Sequence, residues 1–160
     1  MLAKQPNGLY VETQVLTGST ANAADSYFGQ SVAFTPNALH AIIGAIGPSN
    51  YEGLAYVFSR PSTAVIFTET QVLSGSSPAS GKYFGVSVTV SPNALHAIVG
   101  ANSAFGDRGR AYVFSRPSTA ASFTETQILS GSTATATFSL FGGSLAISSD
   151  ALHAIVGAEG

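Results

Sequence analysis

Cysteine is absent from this 160-residue chain, which removes disulfides, thiolate metal sites and cysteine nucleophiles together and leaves the compartment open. Charge is scarce too. Only 9% of residues are charged, six Lys plus Arg against eight Asp plus Glu, for a net charge of −2. No cluster of basic side chains is present to neutralise a run of phosphates, so nucleic acid is not an expected partner. No window reaches the ~18 consecutive apolar residues of a membrane span. Met1-Leu2-Ala3-Lys4 leads into polar residues rather than an apolar secretion signal, so the chain reads as soluble with no visible address. What it does have is 45% hydrophobic residues, and such a chain must bury most of its surface.

Its second conspicuous feature is internal repetition. Gln14, Gln71 and Gln127 occupy equivalent places in Glu-Thr-Gln-Val/Ile-Leu, spaced by 57 and 56 residues. Phe28-Gly29-Gln30-Ser31-Val32 returns as Phe84-Gly85-Val86-Ser87-Val88 and as Phe141-Gly142-Gly143-Ser144-Leu145. Ala38-Leu39-His40-Ala41-Ile42-Ile43-Gly44-Ala45 returns at Ala94 to Ala101 and at Ala151 to Ala158. Ala55 to Ala64, containing Tyr-Val-Phe-Ser-Arg-Pro, is repeated identically as Ala111 to Ala120.

Each repeat holds four short apolar or β-branched runs separated by Gly, Pro, Ser and Asn, which is strand chemistry bounded by turn chemistry and leaves no room for helices. In the first repeat the strands are predicted at Ser31–Thr35, His40–Ala45, Ala55–Ser59 and Phe67–Leu73, as an antiparallel meander. The second and third strands have no polar face, so both sides of the sheet need cover. Sheets stacked face to face around an axis provide it. Gly44, Ala45, Gly100, Ala101, Gly157 and Ala158 suit places where neighbouring backbones approach closely. The expected fold is all-β, with about 2.8 propeller-type four-stranded blades. Its predicted divisions are an N-terminal segment with a lone outer strand (1–27), two repeats (28–83 and 84–140) and half of a third (141–160).

The ordered set Phe-Gly-x-Ser-Val, Ile-Val-Gly-Ala, Gly-x-Ala-Tyr-Val-Phe and Gln-x-Leu resembles the FG-GAP repeat family, whose best-known members are the propellers of integrin α-chains. The likeness runs from about Tyr10 onward. It implies one propeller blade per repeat, an extracellular or cell-surface location, and a role in adhesion or ligand binding. Many blades of that family hold calcium in an Asp-x-Asp/Asn-x-Asp-Gly loop between the first two strands. Here the corresponding segments are Thr35-Pro36-Asn37-Ala38, Ser91-Pro92-Asn93-Ala94 and Ser148-Ser149-Asp150-Ala151. Calcium takes six to eight oxygens, so Asp150 is at most a weak metal candidate, and tight turns are the preferred reading.

Other residues invite chemistry and are better read as architecture. His40, His96 and His153 open the second strand of each repeat, off the central line where a zinc triad could converge; capping a strand end or bonding a turn suits them better. The serine of Phe-Gly-x-Ser recurs in every copy and is not followed by the helix of a nucleophile elbow. Gly106-Asp107-Arg108-Gly109 lacks the lysine and helix of a phosphate loop and reads as a hairpin loop. Glu12, Glu69 and Glu125 lie on predicted outer strands, where Arg60 and Arg116 are placed to reach them across a hairpin. No cofactor and no enzymatic activity are expected.

Recognition is expected where the copies differ. The loop between second and third strands carries Tyr51 and Glu52 in one repeat and Phe105, Asp107 and Arg108 in the next; exposed loop aromatics such as Tyr51 and Phe105 are candidate contacts. The segments preceding Phe-Gly (21–27, 78–83 and 134–140) also vary. Eleven strands are expected from Tyr10 onward, fewer than the four to eight blades of a closed propeller require. Open ends expose apolar faces and unpaired edges. The expectation is therefore either association with other copies, into a ring of about six blades or a filament, or membership of a longer propeller that binds a protein or glycan ligand.

Overall fold

The computed structural model describes residues 1–21, 26–47, 51–76, 82–132 and 139–159. It is all-β. Among the described residues twelve strands form four antiparallel sheets, none of which closes on itself. Strands β3 (Phe28–Phe34), β4 (His40–Ala45), β5 (Leu54–Ser59) and β6 (Thr68–Leu73) make the first four-stranded sheet in sequential order. The second is its repeat, β7 (Phe84–Val90), β8 (His96–Ala101), β9 (Arg110–Ser115) and β10 (Thr124–Leu129). Two-stranded sheets flank them: β1 (Leu2–Lys4) with β2 (Tyr10–Glu12), and β11 (Ser144–Ile147) with β12 (Ala154–Gly157).

Three expectations need correction. The N-terminal strand is not alone, because Leu2-Ala3-Lys4 pairs with Tyr10-Val11-Glu12 around a turn in which Gly8 takes φ +84°. In the two complete repeats the first strand starts at Phe28 or Phe84 rather than at the serine, since a bulge carries the pairing from Phe28 to Ser31 and from Phe84 to Ser87; in the third, β11 starts at Ser144. Glycine permits that bulge, at φ +92° in Gly29 and +90° in Gly85, and Gly142 takes the same angle, +92°, just ahead of β11. Finally, one helical turn, α1 (Ala104–Asp107), forms in the loop before β9, closed by Gly109 N donating to Ala104 O at 2.9 Å.

The turns joining β3 to β4 and its equivalents follow directly from the sequence. Asn37 Oδ1 accepts from Thr35 Oγ1 at 2.7 Å and from Leu39 N at 3.1 Å; Asn93 repeats this with Ser91 and Leu95 at 2.6 and 3.0 Å. Arg60 and Arg116 brace these turns, each donating Nε to the carbonyl of Ala38 or Ala94 and stacking 4.4 Å over Phe67 or Phe123. The arginines therefore do not cross the hairpin to a glutamate. Each guanidinium is instead held over an aromatic ring and spent on loop carbonyls.

The central strands are buried on both faces, as their lack of polar alternation demands. One face of the first sheet contributes Ile42, Ala55, Val57 and Leu73 to a cluster with Phe84, Val88, Val99, Tyr112 and Phe114 of the second. The opposite face, with Ala41, Ile43, Tyr56 and Phe58, packs on Met1, Leu16 and Ala21 of the N-terminal segment. Packing of sheet on sheet is thus the unit of stability.

Candidate functional site

The residues that recur in every repeat meet at the joints between successive sheets, and they do so as three polar clasps. The first uses the serine of Phe-Gly-x-Ser. Ser31 Oγ donates to Gly85 O of the next sheet at 2.8 Å, and Ser87 Oγ donates to Gly142 O at 2.6 Å. Gly44 and Gly100 lie directly under these bonds, where a Cβ would collide with both the carbonyl and the serine hydroxyl. Ala45 and Ala101 beside them are fully buried.

The second clasp is a side-chain amide that imitates a strand. Gln14 donates Nε2 to Phe67 O at 2.9 Å and accepts from Phe67 N at 2.8 Å; Gln71 does the same to Phe123 at 2.8 and 2.7 Å. The third binds the glutamates that the arginines do not reach. Ser19 N and Oγ donate to Glu69 at 2.8 and 2.6 Å, and Ser76 N and Oγ donate to Glu125 at the same distances.

The loops singled out for recognition also serve these joints through their backbones. Tyr83 N and Phe84 N donate to Tyr51 O and Glu52 O at 3.0 Å, and Leu140 N and Phe141 N donate to Asp107 O and Arg108 O at 3.1 and 3.0 Å. Short parallel bridges, Gly53 to Phe84 and Gly109 to Phe141, continue the contact. Tyr51 is half-exposed at φ +63°, its ring 6.4 Å from Tyr27 and 5.9 Å from Tyr83, which makes a row of three tyrosines. The side chain of Phe105 and positions 22–25, 48–50, 77–81 and 133–138 of the variable loops lie outside the described residues.

The histidines bond across to the end of the third strand, His40 Nδ1 lying 2.9 Å from Ser59 Oγ and His96 Nδ1 3.0 Å from Ser115 Oγ. His40 additionally meets Arg116 of the next sheet at 3.5 Å. Burial first, and the Arg116 charge second, push the His40 pKa below its usual value. Asp150 sits where Asn37 and Asn93 sit, accepting from the Ser148 hydroxyl and from Leu152 N, and these bonds hold its carboxyl below the usual range. It is exposed, and among the described residues no group of three or more His, Cys, Asp or Glu side chains is arranged to hold a metal ion.

Sequence reasoning marked the recurring residues but not what each touches. The two ends of the stack were the signal it could partly see. Val88 and Val90 are 8% and 7% exposed beneath the first sheet, whereas Val32 and Phe34, their equivalents one repeat earlier, are 67% and 46% exposed. At the far end Ile155 is 74% exposed, whereas its equivalents Ile42 and Ile98 are 1% and 4%. Val32 and Phe34 line a groove of about 390 Å³ floored by Ala41 and Ile43 and walled by Val15 and Leu16.

No family model matches the chain, and no curated protein matches it. No helix among the described residues is long and apolar enough to cross a membrane.

Proposed function

We propose that this chain is a non-enzymatic, self-associating structural protein, built of FG-GAP-like propeller blades whose open ends are completed by other copies. The carrying observation is the contrast in exposure at equivalent positions. Val32 and Phe34 at one end and Ile155 at the other are uncovered only because no sheet lies against them, and burying apolar side chains of this size is worth about 1.5–3 kcal/mol each. The recurring serines support a structural reading as well, since Ser31 and Ser87 are engaged with carbonyl oxygens rather than paired with a base. Sedimentation velocity of the purified chain across micromolar concentrations tests the proposal; association that grows with concentration is expected, and a monomer throughout refutes it.

A second reading, a module of a longer extracellular or cell-surface propeller that binds a protein or glycan, is favoured by the Tyr27, Tyr51 and Tyr83 row, because aromatic faces bind sugar rings and protein anchors alike. Glycan-array binding abolished by Tyr51→Ala supports it; no binding, or binding indifferent to that change, removes it.

A further inference from the structure

Resting on the self-association proposed above, we infer that copies join tail to head in one register, the C-terminal pair β11–β12 of one chain and the N-terminal pair β1–β2 of the next combining into a single four-stranded sheet. The pairs are complementary halves. Within the first sheet Phe58 pairs with Glu69 and Ser59 with Thr68, while in the N-terminal pair Leu2 faces Glu12 and Ala3 faces Val11. The N-terminal pair therefore corresponds to third and fourth strands. Ser144 faces Gly157 as Ser31 faces Gly44, so the C-terminal pair corresponds to first and second strands. Each half has a free edge where a whole sheet has a second-to-third strand ladder.

The clasps give the same register independently. Each is made twice inside the chain, and each leaves one donor over at the tail and one acceptor over at the head. Among the described residues Ser144, Gln127 and Ser132, the tail equivalents of Ser31, Gln71 and Ser76, have no next-sheet partner. At the head, Gly29 holds the bulge conformation of Gly85 and Gly142, and Glu12 and Tyr10 are the equivalents of Glu69 and Phe67. Thr13 N donates to Met1 O and Gln5 N to Leu9 O, which makes Lys4 and Tyr10 a non-bonded pair whose Tyr10 amide and carbonyl face away from β1. Across the joint, Ser144 Oγ donates to Gly29 O, Gln127 clasps the Tyr10 backbone, and Ser132 donates to Glu12. Ile155 then covers Val32 and Phe34, as Ile42 covers Val88 and Val90 within the chain. The occupant of the head groove is thus a second copy, because the tail carries the same contacts that already build the internal joints.

The test uses the full 160-residue chain in three forms: unaltered, Val32→Asp and Ile155→Asp. Both altered side chains are exposed in the single chain, so folding is retained, and circular dichroism verifies it. The unaltered chain associates. Each variant alone associates at least roughly 100-fold more weakly, since a carboxylate would be buried without a partner. Mixed at high micromolar concentration, the two variants form a one-to-one complex through the one intact tail and the one intact head. If the unaltered chain is a monomer, the self-association reading falls. If it associates but either variant does so equally well, another surface is responsible and the tail-to-head register falls alone. A second probe reads register directly: because the chain has no cysteine, Ser132→Cys mixed with Glu12→Cys is joined into a mixed pair by a short bis-maleimide that spans the length of the replaced side chain, and unlinked chains or like-with-like links overturn the assignment.

Discussion

Replacing Gln71 with Ala isolates one clasp and gives a magnitude that the structure fixes in advance. The Gln71 amide makes two bonds to the Phe123 backbone, at 2.8 and 2.7 Å, and Phe123 itself is buried beneath Arg116. Truncation orphans one N–H and one C=O. A buried polar group left without a partner costs ~1–3 kcal/mol, so two of them, with water recovering part of the loss, cost about 2–4 kcal/mol. In a chain of this size that lowers Tm by about 5–15 °C. The built-in control is Gln127→Ala. Gln127 occupies the same repeat position but is exposed with no partner among the described residues, so its removal costs within ~0.5 kcal/mol at concentrations where the chain is monomeric. Urea unfolding followed by far-UV circular dichroism measures both. If Gln71→Ala unfolds with the unaltered chain, or Gln127→Ala costs as much in the monomer, the amide clasps are not what holds sheet to sheet.

Two further outcomes follow from the same joints. Gly100→Ala places a methyl inside the Gly142 carbonyl and the Ser87 hydroxyl, and is expected to lose about 3 kcal/mol, the upper end for overpacking, in thermal unfolding; Gly157→Ala, which clashes only with the rotatable Ser144 hydroxyl, loses markedly less. His40 has a folded pKa depressed below 6.5 by burial and by Arg116, so the unfolded state takes up its proton first as acid is added. Stability is therefore full above about pH 6.5 and falls as pH drops through 6.5 to the folded pKa, and the His40→Gln variant shows a flatter stability profile over that window by urea titration.

Much of this was legible in the sequence, for a physical reason. A repeat that recurs every 56 or 57 residues builds the same sheet each time, so apolar runs such as Ala41-Ile42-Ile43 and Tyr56-Val57-Phe58 reveal double-sided burial of the central strands without any knowledge of contacts. Gly44 and Gly100 meet the backbone of the next sheet as expected, since a missing Cβ is readable from the sequence, whereas Gly157 meets only Ser144 of its own pair and Ala158 is exposed. Long-range partners were not legible. Glu69 and Arg60 have opposite charge and lie within one hairpin, so local reasoning pairs them; the structure gives the glutamate to Ser19, fifty residues away, and the arginine to an aromatic face. The β1 strand escaped because three residues, Leu2-Ala3-Lys4, carry too short a pattern to stand out.

The division of labour at a joint bears on how assembly must work. Apolar faces such as Val32 against Ile155 supply attraction without direction, and a strand slipped along them still buries area. Register comes from the clasps, because a Gln amide meets both an N–H and a C=O only at one offset. Burying Val32, Phe34 and Ile155 contributes about 4–9 kcal/mol at most, and each neutral bond adds only ~0.5–1.5 kcal/mol net. Association itself costs 4–15 kcal/mol or more, so one tail-to-head joint is marginal by itself. A second joint adds stability where copies close into a ring, because it then forms within the complex without a second association cost. If the ring closes, the mixed pair of Val32→Asp and Ile155→Asp, which keeps one joint, dissociates on dilution to concentrations at which the unaltered chain remains assembled, whereas equal dissociation of the two marks an open filament.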